Sequence, residues 1–177
     1  MNPNPQIERK LNLFDRSEYD KGRNFLVQGI WFLVLNVFFV KWWFPRSLRP
    51  VVLRIFGAKV GENVFIRHRV RIMWPWKLVI GNNCWLGEDL WILNLEKVSV
   101  GNDVCLSQNV KLCTGSHDYK SKSFNYRNAP ITIEDGVWLA IDTLVLPGVT
   151  IGRGVTVLAR STIKHNIKRN QVIRKDN

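Results

Sequence analysis

His117 is the residue of this chain best suited to chemistry. It stands in Leu112-Cys113-Thr114-Gly115-Ser116-His117-Asp118-Tyr119, where a regular succession of aliphatic residues stops and a polar stretch begins. Imidazole titrates near neutral pH, so a histidine held in place can take the proton of a hydroxyl group as it attacks and pass it on afterwards. No serine or cysteine has a convincing nucleophile's setting, and a base-assisted direct transfer needs none. Asp118 has two open roles. It could orient the imidazole tautomer, as carboxylates do in other hydroxyl-activating sites, or start a turn, as Asp commonly does.

What must position His117 is a repeat. Aliphatic residues fall at Val60, Ile66 and Ile72, then at Ile80, Leu86 and Ile92, then at Val100, Leu106 and Leu112, six apart within each triplet and twenty between triplets. After a gap they resume at Ile133, Leu139 and Val145, then Ile151, Val157 and Ile163, now eighteen apart. Gly61, Gly81, Gly87, Gly101 and Gly152 follow the aliphatics directly, and small apolar residues such as Val64, Cys84, Val104 and Val137 come four after them. Eighteen residues make three short strands joined by tight turns, one triangular coil with an inward aliphatic on each side. A single coil has no core of its own, so each buries its apolar stack against the next. β-Branched residues dominate and a 3.6-residue period is absent, which argues against helices here. The expected fold is mainly β: a parallel β-helix of about five coils over 59–167, with a loop at 118–130.

Three histidines on such a repeat raise the question of a zinc site, which needs three converging imidazoles. His68 and His165 occupy the third place of their hexapeptides and His117 the sixth, so convergence is not expected, and no metal is expected either. His68 and His165 read as corner or surface residues.

Residues 1–58 are of different character. A polar arm of mixed charge, 1–23, precedes an uncharged run from Asn24 to Val40, which is followed by Lys41, Trp42-Trp43-Phe44-Pro45 and a second helical stretch from Ser47 to Phe56. Three readings stand for 24–56: a helix packed over the end of the β-helix, a helix lying in a bilayer interface, or a membrane span, for which seventeen residues is short. Peripheral membrane contact is the favoured one, because aromatic residues beside Lys41, Arg46 and Arg49 suit an anionic lipid surface. No signal peptide is expected, since the first apolar run starts late and lacks a cleavage site.

The charge of +12 calls for an anionic partner, and nucleic acid, acidic membrane and a phosphorylated cofactor are the classes. The basic residues are scattered without a nucleic-acid-binding motif, so no nucleic acid is expected. Cys84, Cys105 and Cys113 are odd in number and form no C-x-x-C pair, so they read as small apolar residues in a reducing compartment.

Three pieces together, the ordered repeats, Thr114-Gly115-Ser116-His117-Asp118, and Ile131-Thr132-Ile133-Glu134-Asp135-Gly136-Val137-Trp138-Leu139-Ala140 with Pro147-Gly148-Val149-Thr150-Ile151-Gly152, resemble the hexapeptide-repeat left-handed β-helix acyltransferases. Within these the chain is most similar to the colanic acid biosynthesis acetyltransferases of bacterial exopolysaccharide clusters, over roughly residues 25 to 165. The resemblance implies a left-handed coil, an exception to the usual crossover rule. It also implies a homotrimer, acetyl-CoA as acetyl donor in the crevice between neighbouring subunits, and O-acetylation of a sugar or glycan acceptor, lipid-linked or polymeric. The location is then cytoplasmic, at the inner face of the plasma membrane.

By resemblance His117 is the general base and Ala140 the backbone N–H donor to the oxyanion. Acetyl-CoA would lie beside Trp138, Ala140, Ile141, Leu158 and Ala159, with Lys164 and His165 near its nucleotide; Trp138 is equally readable as a corner packing residue. Tyr119, Tyr126 and Arg127 in the loop, and Asp89, Trp91 and Asn94 one coil earlier, are candidates to meet the acceptor. The chain departs from the family in having Ala140 and Leu158 where Gly is usual, and in ending without a Gly-Asn-Pro-Ala type segment after the last coil. The basic C-terminal tail, 168–177, with Lys168, Arg169, Arg174 and Lys175, would then attract the CoA phosphates in its place. The alternative reading is a noncatalytic β-helix scaffold in a membrane-associated biosynthetic complex.

Overall fold

A computed structural model describes residues 8–174. Lys175 and the rest of both termini lie outside the described residues. The chain winds as three parallel sheets along one axis. The first holds Lys59–Val60, Leu78–Ile80, Val98–Val100, Ile131–Ile133 and Thr150–Ile151. The second holds Phe65–Ile66, Trp85–Leu86, Cys105–Leu106, Trp138–Leu139, Thr156–Val157 and Val172–Ile173. The third holds Arg71–Ile72, Trp91–Leu93, Lys111–Cys113, Leu144–Val145 and Thr162–Ile163.

Register follows the repeat. Val60 aligns with Ile80, Ile66 with Leu86, Ile72 with Ile92, and so on up the stack. The inward positions form one buried core from Ile66 to Ile163, continuous because each coil leaves its apolar top and bottom for its neighbours. Burying each such Val, Leu or Ile is worth about 1.5–3 kcal/mol. The two extra residues of each twenty-residue coil lie between the third and first sheets, at Pro75–Lys77, a 3-10 turn, and at Asn94–Lys97. Five coils are complete, and a partial sixth follows: Ile167 bridges to Ile151, and Val172–Ile173 pairs with Thr156–Val157. Much of the segment expected as a basic tail is therefore part of the coil stack.

Corners solve two problems with different residues. The left-handed backbone positions are filled by Asn63, Asn83 and Asp103 along one corner and by Arg69, Asp89, Asn109, Asp142 and Arg160 along another. Asn and Asp tolerate that conformation because their side chains bond locally. The glycines after the inward aliphatics serve close approach instead. A Cβ on Gly87 would lie 2.5 Å from the Ser107 carbonyl carbon, and one on Gly81 2.6 Å from that of Gly101.

The N-terminal segment closes the first coil. Helix α1, Phe25–Val34, is capped by Asn24, whose side chain accepts from the Val27 N–H at 3.0 Å, and continues through a π-helical turn, Leu35–Phe39. Helix α2 spans Leu48–Ile55. The first coil has no strand beneath it, so its outward carbonyls need donors. The segment supplies one for each sheet: Arg54 Nε donates to Val60 O (2.9 Å), Arg49 Nη1 to Ile66 O (3.4 Å) and Trp31 Nε1 to Ile72 O (3.1 Å). Trp31, Leu35, Phe39 and Leu53 join the core on the same side. Among the described residues no helix is long and apolar enough to cross a membrane, so the span reading does not hold for them.

Candidate active site

His117 leaves the third sheet just after Lys111–Cys113 and sits in a short antiparallel hairpin. Ala129 N–H donates to Thr114 O (3.0 Å), Arg127 N–H to Ser116 O (2.8 Å) and Asp118 N–H to Asn125 O (2.9 Å), and His117 bridges to Tyr126. The loop is thus zipped back onto itself. His117 Nδ1 lies 2.7 Å from Phe124 O. A carbonyl can only accept, so Nδ1 carries the hydrogen and the neutral ring presents its lone pair at Nε2.

The imidazole is also held by rings. Phe124 stacks on it at 4.2 Å with 5° between planes, Tyr126 stacks at 5.2 Å, and Phe14 leans against it at 5.4 Å. Phe14 comes from the N-terminal arm, which crosses this loop: Lys10 N–H donates to Lys122 O (2.9 Å), and Arg9 lies over the Phe124 ring. Tyr19, from the same arm, packs on Tyr126 at 5.5 Å and accepts a hydrogen bond from Trp74 Nε1. Burial pushes the Tyr19 phenol up to about 12.

Other residues expected here separate into several groups. Asp118 Oδ1 accepts from Lys120 N–H at 2.9 Å, the turn arrangement, while the tautomer-fixing contact belongs to Phe124 O. Tyr126 lies in the ring stack, and Tyr119 and Arg127 are exposed on the same loop. Asn94 requires a correction: it is fully buried, accepting from Trp74 N–H (2.9 Å) and donating to Trp74 O (2.6 Å), so it cannot meet an acceptor. Asp89 is held by Arg69 in two bonds of 2.8 Å, and that guanidinium keeps its carboxyl below the usual range. Trp91 is exposed and, with Asp89, Lys111, Ile141 and Asp142, lines an open cleft of about 550 Å³ on the corner between the second and third sheets.

The residues assigned to the donor run up that same corner. Trp138 is half exposed and donates Nε1 to Ser107 Oγ (3.0 Å). Ala140 is buried and its N–H donates to Val157 O at 2.9 Å. This corrects its expected role: an N–H committed to the next coil is not available to an oxyanion. Ile141, exposed and next in sequence, has no recorded acceptor for its N–H among the described residues, and its carbonyl accepts from Arg160 N–H at 2.9 Å. Leu158 and Ala159 stand one coil above, both exposed. Lys164 and His165 join Arg160 and Arg174 around a cleft of about 390 Å³ at the last strand of the third sheet. Four basic side chains there fit the phosphates of a nucleotide. Among the described residues no group of three or more His, Cys, Asp or Glu lies together as a metal site.

Phe124, Phe14 and Tyr19 carried no signal in the repeat. Their one trace in sequence is that they are aromatic residues in mostly polar segments.

No protein-family model matches the chain. The protein of Escherichia coli K12 assigned as the colanic acid biosynthesis acetyltransferase WcaF is 41% identical over 157 residues, 87% of this chain and 85% of that protein. Among solved structures, a galactoside acetyltransferase in complex with coenzyme A superposes with a TM-score of 0.75 at 24% identity, over 86% of this chain and 82% of that one. A hexapeptide-repeat acetyltransferase of Vibrio cholerae complexed with acetyl-coenzyme A gives 0.73 at 19% identity, over 88% and 90%. These two carry the fold, and the 41% relative carries the descent. The coil stack, the histidine at its interruption and that relative together mean that the chain belongs to the hexapeptide-repeat left-handed β-helix acetyltransferases, of the colanic-acid WcaF type.

Proposed function

We propose that the protein is an O-acetyltransferase that moves the acetyl group of acetyl-CoA onto a sugar hydroxyl during exopolysaccharide or surface-glycan synthesis, with His117 as general base. The observation that carries this is the locked imidazole: Nδ1 tied to Phe124 O and Nε2 left free as a base. Nε2 takes the hydroxyl proton as the sugar oxygen bonds to the acetyl carbonyl carbon. The C–S bond then breaks, and the proton passes to the departing CoA thiolate. The oxyanion formed in between needs a preorganised N–H, and Ile141 N–H is the donor the corner offers. The WcaF protein's assignment to colanic acid and the galactoside named for the CoA-bound structure support a sugar acceptor.

The active form is proposed to be a homotrimer. Within one chain, Lys111–Cys113 runs from the corner of Ile141 to the corner where the His117 loop departs, so base and donor cleft lie on opposite edges of one sheet. Two subunits must meet for one edge to serve the other. The outward row Phe65, Trp85, Cys105, Trp138, Thr156 and Val172 on the second sheet offers an apolar contact for that meeting. Peripheral contact with the inner face of the plasma membrane through 24–56 belongs to the same reading, since it would bring a lipid-linked acceptor close.

The test is CoA-thiol release with acetyl-CoA across a set of sugar acceptors. His117→Ala should lower the rate by about 10²-fold or more while acetyl-CoA binding is kept. Equal rates in both proteins would remove His117 as the base. Failure to bind acetyl-CoA at all would leave the scaffold reading.

A further inference from the structure

Helix α1 and its π-helical extension are apolar on two opposite faces. Trp31, Leu35 and Phe39 are buried on the first coil. On the other side Leu26, Ile30, Leu33 and Val37, spaced four, three and four apart, are 71%, 53%, 61% and 42% exposed. A helix apolar all round is normally covered all round. The uncovered face continues through Phe38, which packs edge-on against Trp43, to Trp42, 80% exposed.

Charge decides what covers it. Between residues 24 and 61 there are five basic residues, Lys41, Arg46, Arg49, Arg54 and Lys59, and no Asp or Glu. A second copy of this face would bring like charges together, whereas an anionic surface would be attracted. Beside the tryptophans is a cleft of about 270 Å³ lined by Trp42, Trp43, Phe44, Arg46, Arg49 and Phe65, with Arg67 and His68 at its side. Arg49 is 3% exposed and gives its hydrogen bonds to the carbonyls of Phe39, Ile66 and Lys41, with no carboxylate partner among the described residues. Burial, then the nearby Arg67, lowers its pKa. Among the described residues the Arg46 guanidinium has only the Phe65 ring as a partner. Glu88 answers Arg67 at 3.7 Å and His68 at 3.3 Å, and it is shared with Arg69 as well.

We propose that this cleft receives the phosphate of an anionic phospholipid headgroup between Arg46, Arg67 and the buried Arg49, while Trp42 and the Leu26–Ile30–Leu33–Val37 face of α1 enter the acyl boundary. The protein thereby lies on an anionic leaflet through its N-terminal cap. The inference deepens the peripheral-membrane part of the proposed function, and it is read without any acceptor, so it stands or fails apart from the transfer chemistry.

Flotation of the full chain is measured with vesicles of phosphatidylcholine alone and of phosphatidylcholine mixed with phosphatidylglycerol. Binding is expected to the mixed vesicles and to be weakened about five-fold by Arg46→Gln or Arg67→Gln, the effect of one basic residue near such a surface. The double variant Leu26→Asp, Leu33→Asp should abolish binding with the thermal transition and the oligomer size kept. CoA-thiol release from a soluble sugar acceptor should be unchanged in Arg46→Gln. Equal partition into both vesicle types, or into neither, overturns the proposal. So does a change in oligomer size in the double variant, which would make the face a subunit contact. Stabilisation by inorganic phosphate that Arg46→Gln removes, without vesicle binding, would assign the cleft to a soluble anion and overturn it as well.

Discussion

The carbonyl oxygen of Phe124 lies 2.7 Å from Nδ1 of His117, and the ring of the same Phe124 stacks on the imidazole at 4.2 Å. One residue therefore fixes both the tautomer and the tilt of the proposed base. It does so at a cost, since Phe124 has φ +54°, a conformation that bulky residues avoid. Such strain is of order 1–3 kcal/mol and persists only where the surroundings impose it.

Phe124→Gly separates the two contributions. Glycine keeps the left-handed backbone and its carbonyl but removes the ring, whose stacking is worth about 0.5–1.5 kcal/mol. Relief of strain should offset that loss, so thermal unfolding should move little. The rate constant kcat should fall about ten-fold, the equivalent of about 1.4 kcal/mol, with KM for acetyl-CoA unchanged. Steady-state kinetics beside a melting curve checks this; an unchanged kcat would reduce the ring to packing.

Tyr19 ties the N-terminal arm to Trp74 and Tyr126, and burial raises its pKa from 10.0 to about 12. Between these values the native state holds a proton that the unfolded chain has lost, so Tyr19's contribution is intact below pH 10 and declines as pH rises toward 12. Tyr19→Phe should flatten the fall in stability across that window. Paired denaturation midpoints through the alkaline range would show it, and parallel curves for both proteins would refute it.

Asn94 bridges both backbone groups of Trp74 from a fully buried position. Asn94→Ala leaves the Trp74 N–H unanswered while the carbonyl keeps the Lys77 N–H (3.1 Å), and one buried group so orphaned costs about 1–3 kcal/mol. The melting temperature should drop while KM for a sugar acceptor holds. A raised acceptor KM with unaltered stability would restore the role in acceptor binding.

Gly87 faces the backbone of the next coil, with Ser107 C 2.5 Å and Gln108 N 2.7 Å from where a Cβ would be. Gly87→Ala must push two coils apart, and overpacking of this kind costs about 1–3 kcal/mol. Chemical denaturation should show that loss; a neutral substitution would mean that the coils can give way there.

The six-residue spacing determined the coil stack, while the hand of the coil came from the family resemblance alone. An inward aliphatic is demanded at every strand of a coil, and the same side chains that reveal the period, from Val60 to Ile163, are the ones that stack. It also singled out His117, because a chain that stops repeating has to leave the stack. What the repeat could not say is which backbone groups the neighbouring coil had already taken. Ala140 and Asn94 look available in sequence, yet one N–H is committed to Val157 O and the other side chain to Trp74, since hydrogen bonds between coils join residues fifteen or more positions apart. Nor could it bring Phe14 and Tyr19 onto the loop of His117: those contacts cross about a hundred residues and follow from where α1 closes the first coil. Local periodicity is written in the order of residues, whereas the partners of a polar group are decided only when distant segments compete for it in the packed molecule.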